Sequence, residues 1–171
     1  MKAVQRTYAL QRRNALSKEQ RSTKSRIICE QVKPYLKGTI AIYQSFSSEV
    51  DLSFLHLEHF ALPVVDQDCK MHFVACDPMT SYEKNKYGIL EPQSNQIVDP
   101  KTIDVMLIPL VAFDRNKHRI GYGKGYYDRY LPQTSCFKIG VAFSCQEVQE
   151  VFVNAYDQAL DLIITEKESL K

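Results

Sequence analysis

The chain has 171 residues, 44% of them hydrophobic and 25% charged, the balance of a soluble globular protein forming one domain over residues 1–171. No apolar run approaches the roughly 18–20 residues of a membrane span, and the basic N-terminus lacks the apolar stretch of a signal peptide. The net charge of +2 is unevenly placed: residues 1–26 hold eight Lys and Arg against one Glu, so this segment carries +7 and the remainder −5. Such a segment suits an anionic partner (nucleic acid, a phosphorylated ligand or a polyglutamate tail), although for most of its residues a solvated helix face is the simpler reading. Five cysteines, at 29, 69, 76, 136 and 145, are an odd number with no Cys-x-x-Cys pair. That excludes a zinc ribbon or a disulfide framework and predicts buried free thiols in a reducing cytoplasm.

In chain order, residues 2–15 lack Gly and Pro and read as a helix. Its Lys2 and Arg6 share one face. Ser17 and Gln20 form a capping box for a second helix carrying Ile28, Val32, Tyr35 and Leu36, with Gly38 as its C-cap. Residues 39–43 suit a buried strand. Asp51 is placed to cap a short helix through Leu52 and Leu55. Strands are expected at 61–65 and 71–76. Between 77 and 104, the pairs Asp77-Pro78, Tyr87-Gly88 and Glu91-Pro92 predict loop, with a bend over 88–92. Residues 105–113 are apolar throughout, as a strand covered on both faces should be. Residues 137–143 and 160–165 complete the strands, with helical turns expected at 146–152. Strands alternating with helices predict a mostly parallel α/β sheet flanked by helices, with ligands beyond the carboxyl ends of its strands. Glu49, the segment after residue 113, and Asp157 all fall on such ends.

The most informative stretch is Gly121-Tyr122-Gly123-Lys124-Gly125-Tyr126-Tyr127-Asp128-Arg129, which holds three of only six glycines. Alternating glycines can turn successive N–H groups toward one point, a concave anion site. Lys124 adds a compact positive charge. A helix starting at Tyr126 would aim its N-terminus at the same anion. Asp128 beside a phosphate calls for a cation between them, and Mg²⁺ is the usual one. The spacing is neither a Walker A loop nor a dinucleotide fingerprint. The competing interpretation is a glycine-rich turn that merely ends a strand. A basic RNA-binding module is a third reading, but no RNP, KH or dsRBD signature appears. The four histidines show no metal-ligand spacing.

Taken together, these residues resemble the 5-formyltetrahydrofolate cyclo-ligase (methenyltetrahydrofolate synthetase) family over nearly the whole chain. The most specific part is the segment 103–114, then Arg119-Ile120 and the run 121–129. Lys2 with Arg6, Arg13 and Ser17, then Glu49-Val50, Leu62-Pro63, 88–92, Val141-Ala142-Phe143 and 161–166 support it. The chain departs from the family at Lys117, where a Gly is usual. It also departs at Phe152 and Tyr156, where Pro and His often precede the Asp.

The resemblance implies a fold related to ribose-5-phosphate isomerase and the CoA transferases. It also implies ATP-dependent conversion of 5-formyltetrahydrofolate to 5,10-methenyltetrahydrofolate, with ADP and phosphate as products. By that resemblance Lys124 and Arg119 act as catalytic cations. ATP is held by Lys2, Arg6, Arg119, Ile120, Gly121, Tyr122, Gly123, Lys124, Gly125, Tyr126 and Tyr127. Phe46, Glu49, Tyr122 and Tyr126 meet the reduced folate, and Asp128 and Asp157 hold Mg²⁺. A cytoplasmic monomer or weak dimer, with no nucleic acid or membrane partner, is expected.

Overall fold

The protein is described from a computed structural model, over residues 1–85 and 88–171. The Tyr87 half of the Tyr87-Gly88 turn signal lies outside the described residues. Helices α1 (Lys2–Asn14) and α2 (Lys18–Val32) come first, followed by strands β1 (Ile40–Ala41), β2 (Phe60–Val65) and β3 (Met71–Cys76). Next are β4 (Tyr82–Lys84), β5 (Leu90–Pro92), β6 (Val105–Pro109), β7 (Ala112–Phe113) and β8 (Arg119–Ile120). The chain ends with α3 (Tyr126–Tyr130), β9 (Phe137–Val141), β10 (Leu162–Ile164) and β11 (Ser169–Leu170). Seven strands form one sheet in the order β11-β10-β9-β6-β1-β2-β3. The five central strands run parallel, and β3 and β11 are antiparallel edges. This is the α/β arrangement expected from the alternation of elements.

The central strand β6 shows why both faces are apolar. Successive side chains of a strand point to opposite faces. Val105 and Leu107 pack with Ile28, Cys29 and Val32 of α2, whereas Met106 and Ile108 pack with Tyr130 of α3 and the following Leu131. Helix α1 takes a third position. Its buried Ala9 packs on Val111, Ala112 and Ile120, over the β7–β8 hairpin. That placement sets α1 across the glycine run.

Several local expectations hold in detail. The Ser17 hydroxyl accepts from Gln20 N at 3.1 Å and the Gln20 side-chain Oε1 accepts from Ser17 N at 2.8 Å. Asp51 caps a short 3₁₀ turn over Leu52–Leu55 by accepting from Ser53 N at 3.0 Å. Gly38 does not cap α2, which ends at Val32 and passes into a 3₁₀ turn, Lys33–Tyr35. Gly38 instead turns the chain at φ +67, and a Cβ there would meet Asp104 Oδ2 at 2.0 Å. That carboxylate accepts from Thr39 N at 2.7 Å as the chain enters β1. Gly38→Ala therefore combines a strained φ with expulsion of Asp104. It is expected to cost about 1–3 kcal/mol, read as a lowered urea midpoint with an unchanged m-value.

Other expectations are corrected. The apolar run 105–113 is not one strand: β6 stops at Pro109, and Ala112–Phe113 pairs antiparallel with β8. Uniform apolarity cannot reveal that break, because both pieces are buried. The Val111 N–H turns instead to Ile120 O, at 2.7 Å. The supposed loop 77–104 contains the β4–β5 hairpin, in which Tyr82 faces Pro92 and Lys84 faces Leu90. The helical turns at 146–152 reduce to a 3₁₀ turn over Ser144–Gln146.

The basic face of the first two helices is engaged rather than solvated. Arg12 donates to Glu147 O at 2.7 Å, Arg21 to Leu16 O at 2.5 Å, and Lys24 pairs with Glu166 at 2.5 Å. All five cysteines are free; Cys29, Cys76 and Cys136 are buried, Cys145 is half-buried and Cys69 is exposed. Among the described residues, no helix is long and apolar enough to cross a membrane.

Candidate functional site

The glycine run leaves β8 and arches under α1. Gly123 and Gly125 take φ of +91 and +67, where L side chains are strained. A Cβ on Gly123 would stand 3.1 Å from an Arg6 guanidinium nitrogen, and one on Gly125 would stand 2.8 Å from Arg129 Nη1. Glycine is therefore favoured at both positions by conformation, and two flexible cationic side chains lie close over the bare backbone. Arg6 Nε donates to Gly121 O at 2.8 Å, and Arg129 Nη1 donates to Lys124 O at 3.1 Å. The Lys124 side chain is exposed, and among the described residues it makes no ion pair. Arg6, Lys124, Arg119 and Arg129 thus surround one short loop, an arrangement that suits an anion. Helix α3 is only five residues long, so a helix dipole adds little, and the side-chain cations and loop amides carry the cradle.

Arg119 is nearly buried at 6% exposure. It donates to Asp128 Oδ1 at 2.6 Å and stands 5.6 Å from the Tyr127 ring centre, while its Nε has no partner. Ile120 is core: it is 2% exposed and its carbonyl is taken by Val111. Tyr126 lies under Arg129, 5.5 Å from the guanidinium carbon. The Tyr127 hydroxyl is buried without a partner, and burial raises its pKa far above the ordinary phenol value.

On the other side of the loop, the segment after β1 carries Phe46 and Glu49. Phe46 is exposed, and its N–H donates to Glu49 Oε2 at 2.9 Å. Burial raises the Glu49 pKa. The Phe46 N–H, the Arg13 charge and the Tyr122 hydroxyl each pull it down. A cleft of about 350 Å³ opens beside Glu49, lined also by Tyr43, Ser45, Leu52, His56 and Phe60. Its size is that of a small-molecule site, and its wall mixes Ile42, Leu52, Leu57 and the rings of Tyr43 and Phe60 with polar groups such as Gln44, Ser47 and Asp51, as suits a flat ligand carrying several polar edges. Cleft and cradle meet at Glu49 and Tyr122.

The metal expectation meets a sparser set of donors. Asp128 Oδ1 is held by Arg119, leaving Oδ2 without a hydrogen bond among the described residues. Asp157 pairs with Lys2 and accepts from Asn154 N at 2.6 Å. Among the described residues, no group of three His, Cys, Asp or Glu could hold a metal ion. Mg²⁺ is commonly held by one or two carboxylates plus substrate phosphates, so the free Asp128 oxygen beside the cradle fits it. Asp157 lies at the N-terminal end of α1 and is already neutralised by Lys2.

Arg13 was not among the expected site residues. It is 2% exposed and donates to Ser48 Oγ at 2.9 Å and Tyr122 Oη at 2.6 Å. Its signal in the sequence was its place seven residues after Arg6, on the same helix face.

Comparison with known proteins bears on the same architecture. Residues 1–166 match the model of the 5-formyltetrahydrofolate cyclo-ligase family. The chain is 32% identical to the 5-formyltetrahydrofolate cyclo-ligase of Mycoplasma pneumoniae, over 92% of this chain and 94% of that one. It is 29% identical to the protein of that name from Escherichia coli, over 91% and 94%. Among solved structures, Aquifex aeolicus 5,10-methenyltetrahydrofolate synthetase superposes with a TM-score of 0.88 at 31% identity, covering 98% of this chain and 91% of that one. With the five parallel strands, the glycine run and the N-terminal cations all inside the matched span, the chain belongs to the 5-formyltetrahydrofolate cyclo-ligase family of enzymes.

Proposed function

We propose that the protein converts 5-formyltetrahydrofolate to 5,10-methenyltetrahydrofolate with consumption of ATP, giving ADP and phosphate. The observation that carries the reading is the junction of a cationic glycine cradle with a cleft headed by Glu49, in a member of this family. A formyl amide is a poor electrophile and its oxygen leaves badly. Transfer of the γ-phosphoryl group to that oxygen releases ADP and creates a leaving group. N10 then attacks the formyl carbon, the C–O bond breaks with departure of phosphate, and N10 gives up its proton.

No enzyme nucleophile is needed, so the protein supplies position and charge. Lys124, Arg6 and the loop amides hold the phosphates, and Lys2 stands at the nucleotide end of α1. Arg119, oriented by Asp128, would add positive charge behind the transferred group. Glu49 accepts an N–H of the folate or the N10 proton. Phe46, Tyr122 and Tyr126 offer ring faces to the pterin. Mg²⁺, held by the free Asp128 oxygen, would neutralise phosphate charge; Asp157, paired with Lys2, serves instead to orient that lysine. The proposed setting is the reducing cytoplasm, as a monomer or weak dimer that engages neither nucleic acid nor membrane.

The test is turnover. Purified protein with ATP, Mg²⁺ and 5-formyltetrahydrofolate is expected to produce the methenyl absorbance, and sugar phosphates in place of folate are expected to yield nothing. Absence of product at high concentration of folded protein would overturn the reading.

A further inference from the structure

The link between the two halves of the site is made by one side chain. Arg13 ends α1 and is buried, yet among the described residues it has no carboxylate within ion-pair distance. Its Nε donates to Ser48 Oγ at 2.9 Å, and that hydroxyl in turn donates to Asn14 Oδ1 at 2.5 Å. Its Nη2 donates to the Tyr122 hydroxyl at 2.6 Å. Its Nη1 is buried with no partner. A buried guanidinium N–H without a protein acceptor is costly, and this donor lies between the Ser48 and Tyr122 halves as one still to be satisfied.

The two partners of Arg13 belong to different halves. Ser48 lies in the folate-side segment between Phe46 and Glu49. Its neighbour Ser47 sits at φ +57, a conformation that a non-glycine residue keeps only when its surroundings hold it. Tyr122 lies in the phosphate-side glycine run. The fork of a guanidinium fixes two such partners in one plane, which an ammonium does not.

Resting on the functional reading above, we infer that Arg13 is a positioning residue that couples the two ligands: one guanidinium bolts the Glu49 segment to the glycine run, so that filling the phosphate cradle organises the folate cleft. Because Tyr122 connects both to the run and, through Arg13, to Ser48, a nucleotide that orders the run also orders the Glu49 segment. Neither ligand needs to touch Arg13 for this, although the free Nη1 offers one donor to whatever fills the space. The groups facing Glu49 are Arg13 from α1, Tyr122 from the glycine run, Tyr127 from α3 and Tyr43 after β1. Arg13 is the cation of that set, so it also favours the ionised carboxylate.

The experiment is calorimetric titration of 5-formyltetrahydrofolate with and without a non-hydrolysable ATP analogue and Mg²⁺. In the wild-type protein, the analogue is expected to tighten folate about tenfold or more. In Arg13→Gln the factor is expected to fall below about threefold. Folate affinity measured without the analogue should stay within a similar factor of wild type. A merely structural role would weaken both ligands singly and leave their ratio alone. Ser48→Ala removes only the hydroxyl that Arg13 Nε grips, at a residue that meets neither ligand in the reading above, and is expected to lose the coupling in the same way. It carries the test should Arg13→Gln fail to fold. Wild-type coupling retained in either folded variant, or absent from wild-type protein that binds both ligands, would overturn the inference alone. Wild-type protein that binds neither ligand would overturn the functional reading and this inference with it.

Discussion

Replacing Lys124 with alanine is expected to lower kcat by roughly two to three orders of magnitude. Lys124 stands exposed between two glycines of positive φ, and among the described residues its charge is not spent on any internal pair. It is thus free for the charge that builds on the transferred phosphoryl oxygens. In a partly dry site, such a contact supplies about 3–4 kcal/mol.

Asp128→Asn is expected to behave differently. It weakens a hard oxygen ligand, so its defect should be partly relieved by raising Mg²⁺, whereas the Lys124→Ala defect should not. The structure adds a second consequence, because Asp128 also anchors Arg119 at 2.6 Å. Asparagine keeps an acceptor for that guanidinium but loses the charge of the ion pair, so part of the loss should persist at any Mg²⁺ concentration. A magnesium titration of turnover at saturating ATP separates these effects. Equal rescue of both variants, or of neither, would reduce Asp128 to a partner of Arg119.

The second large effect is expected at Glu49. Glu49→Gln removes a charged acceptor beside the cleft, and the KM for folate should rise by about ten- to a hundredfold, as for loss of a hydrogen bond to a charged group. The same change should stabilise the protein. Burial raises the Glu49 pKa, so the folded state binds this proton more readily than the unfolded state does. Stability therefore falls as pH rises through that window, and ionised Glu49 is a burden at neutral pH. Glu49→Gln should melt above wild type at pH 7–8. The gap should close as pH drops through the raised carboxyl pKa and wild-type Glu49 itself becomes neutral. Folate binding by wild type should weaken over the same descent. An unchanged folate KM in Glu49→Gln would remove Glu49 from the site.

The helices and the parallel sheet were legible in the sequence because local signals marked them. The capping box at Ser17 and Gln20 forms as written, and β3 spans the residues that its pattern marked. The glycine run was legible too, since backbone at positive φ, as at Gly123 and Gly125, favours glycine. The pieces that escaped were those where burial hides geometry. The break at Pro109 lies inside a uniformly apolar run, and the two residues of β11 are too short to show a period.

By itself, then, the sequence marked the residues of the candidate site: the cradle glycines, Lys124, Glu49, and the two cations Lys2 and Arg6 at the start of α1. The glycines and Lys124 follow from local chemistry, through the φ that glycine allows and the charge that a phosphate demands, whereas Glu49, Lys2 and Arg6 were singled out by the family resemblance. Only the tertiary structure decided the pairings. Arg119 grips Asp128, Lys2 neutralises Asp157, and Arg13 ties Ser48 to Tyr122. Each of these joins groups that the fold brings together, the last two across more than thirty residues of sequence. Sequence spacing carries no record of such contacts, because they arise from how α1 lies across the β7–β8 hairpin, where Ala9 packs against Val111, Ala112 and Ile120.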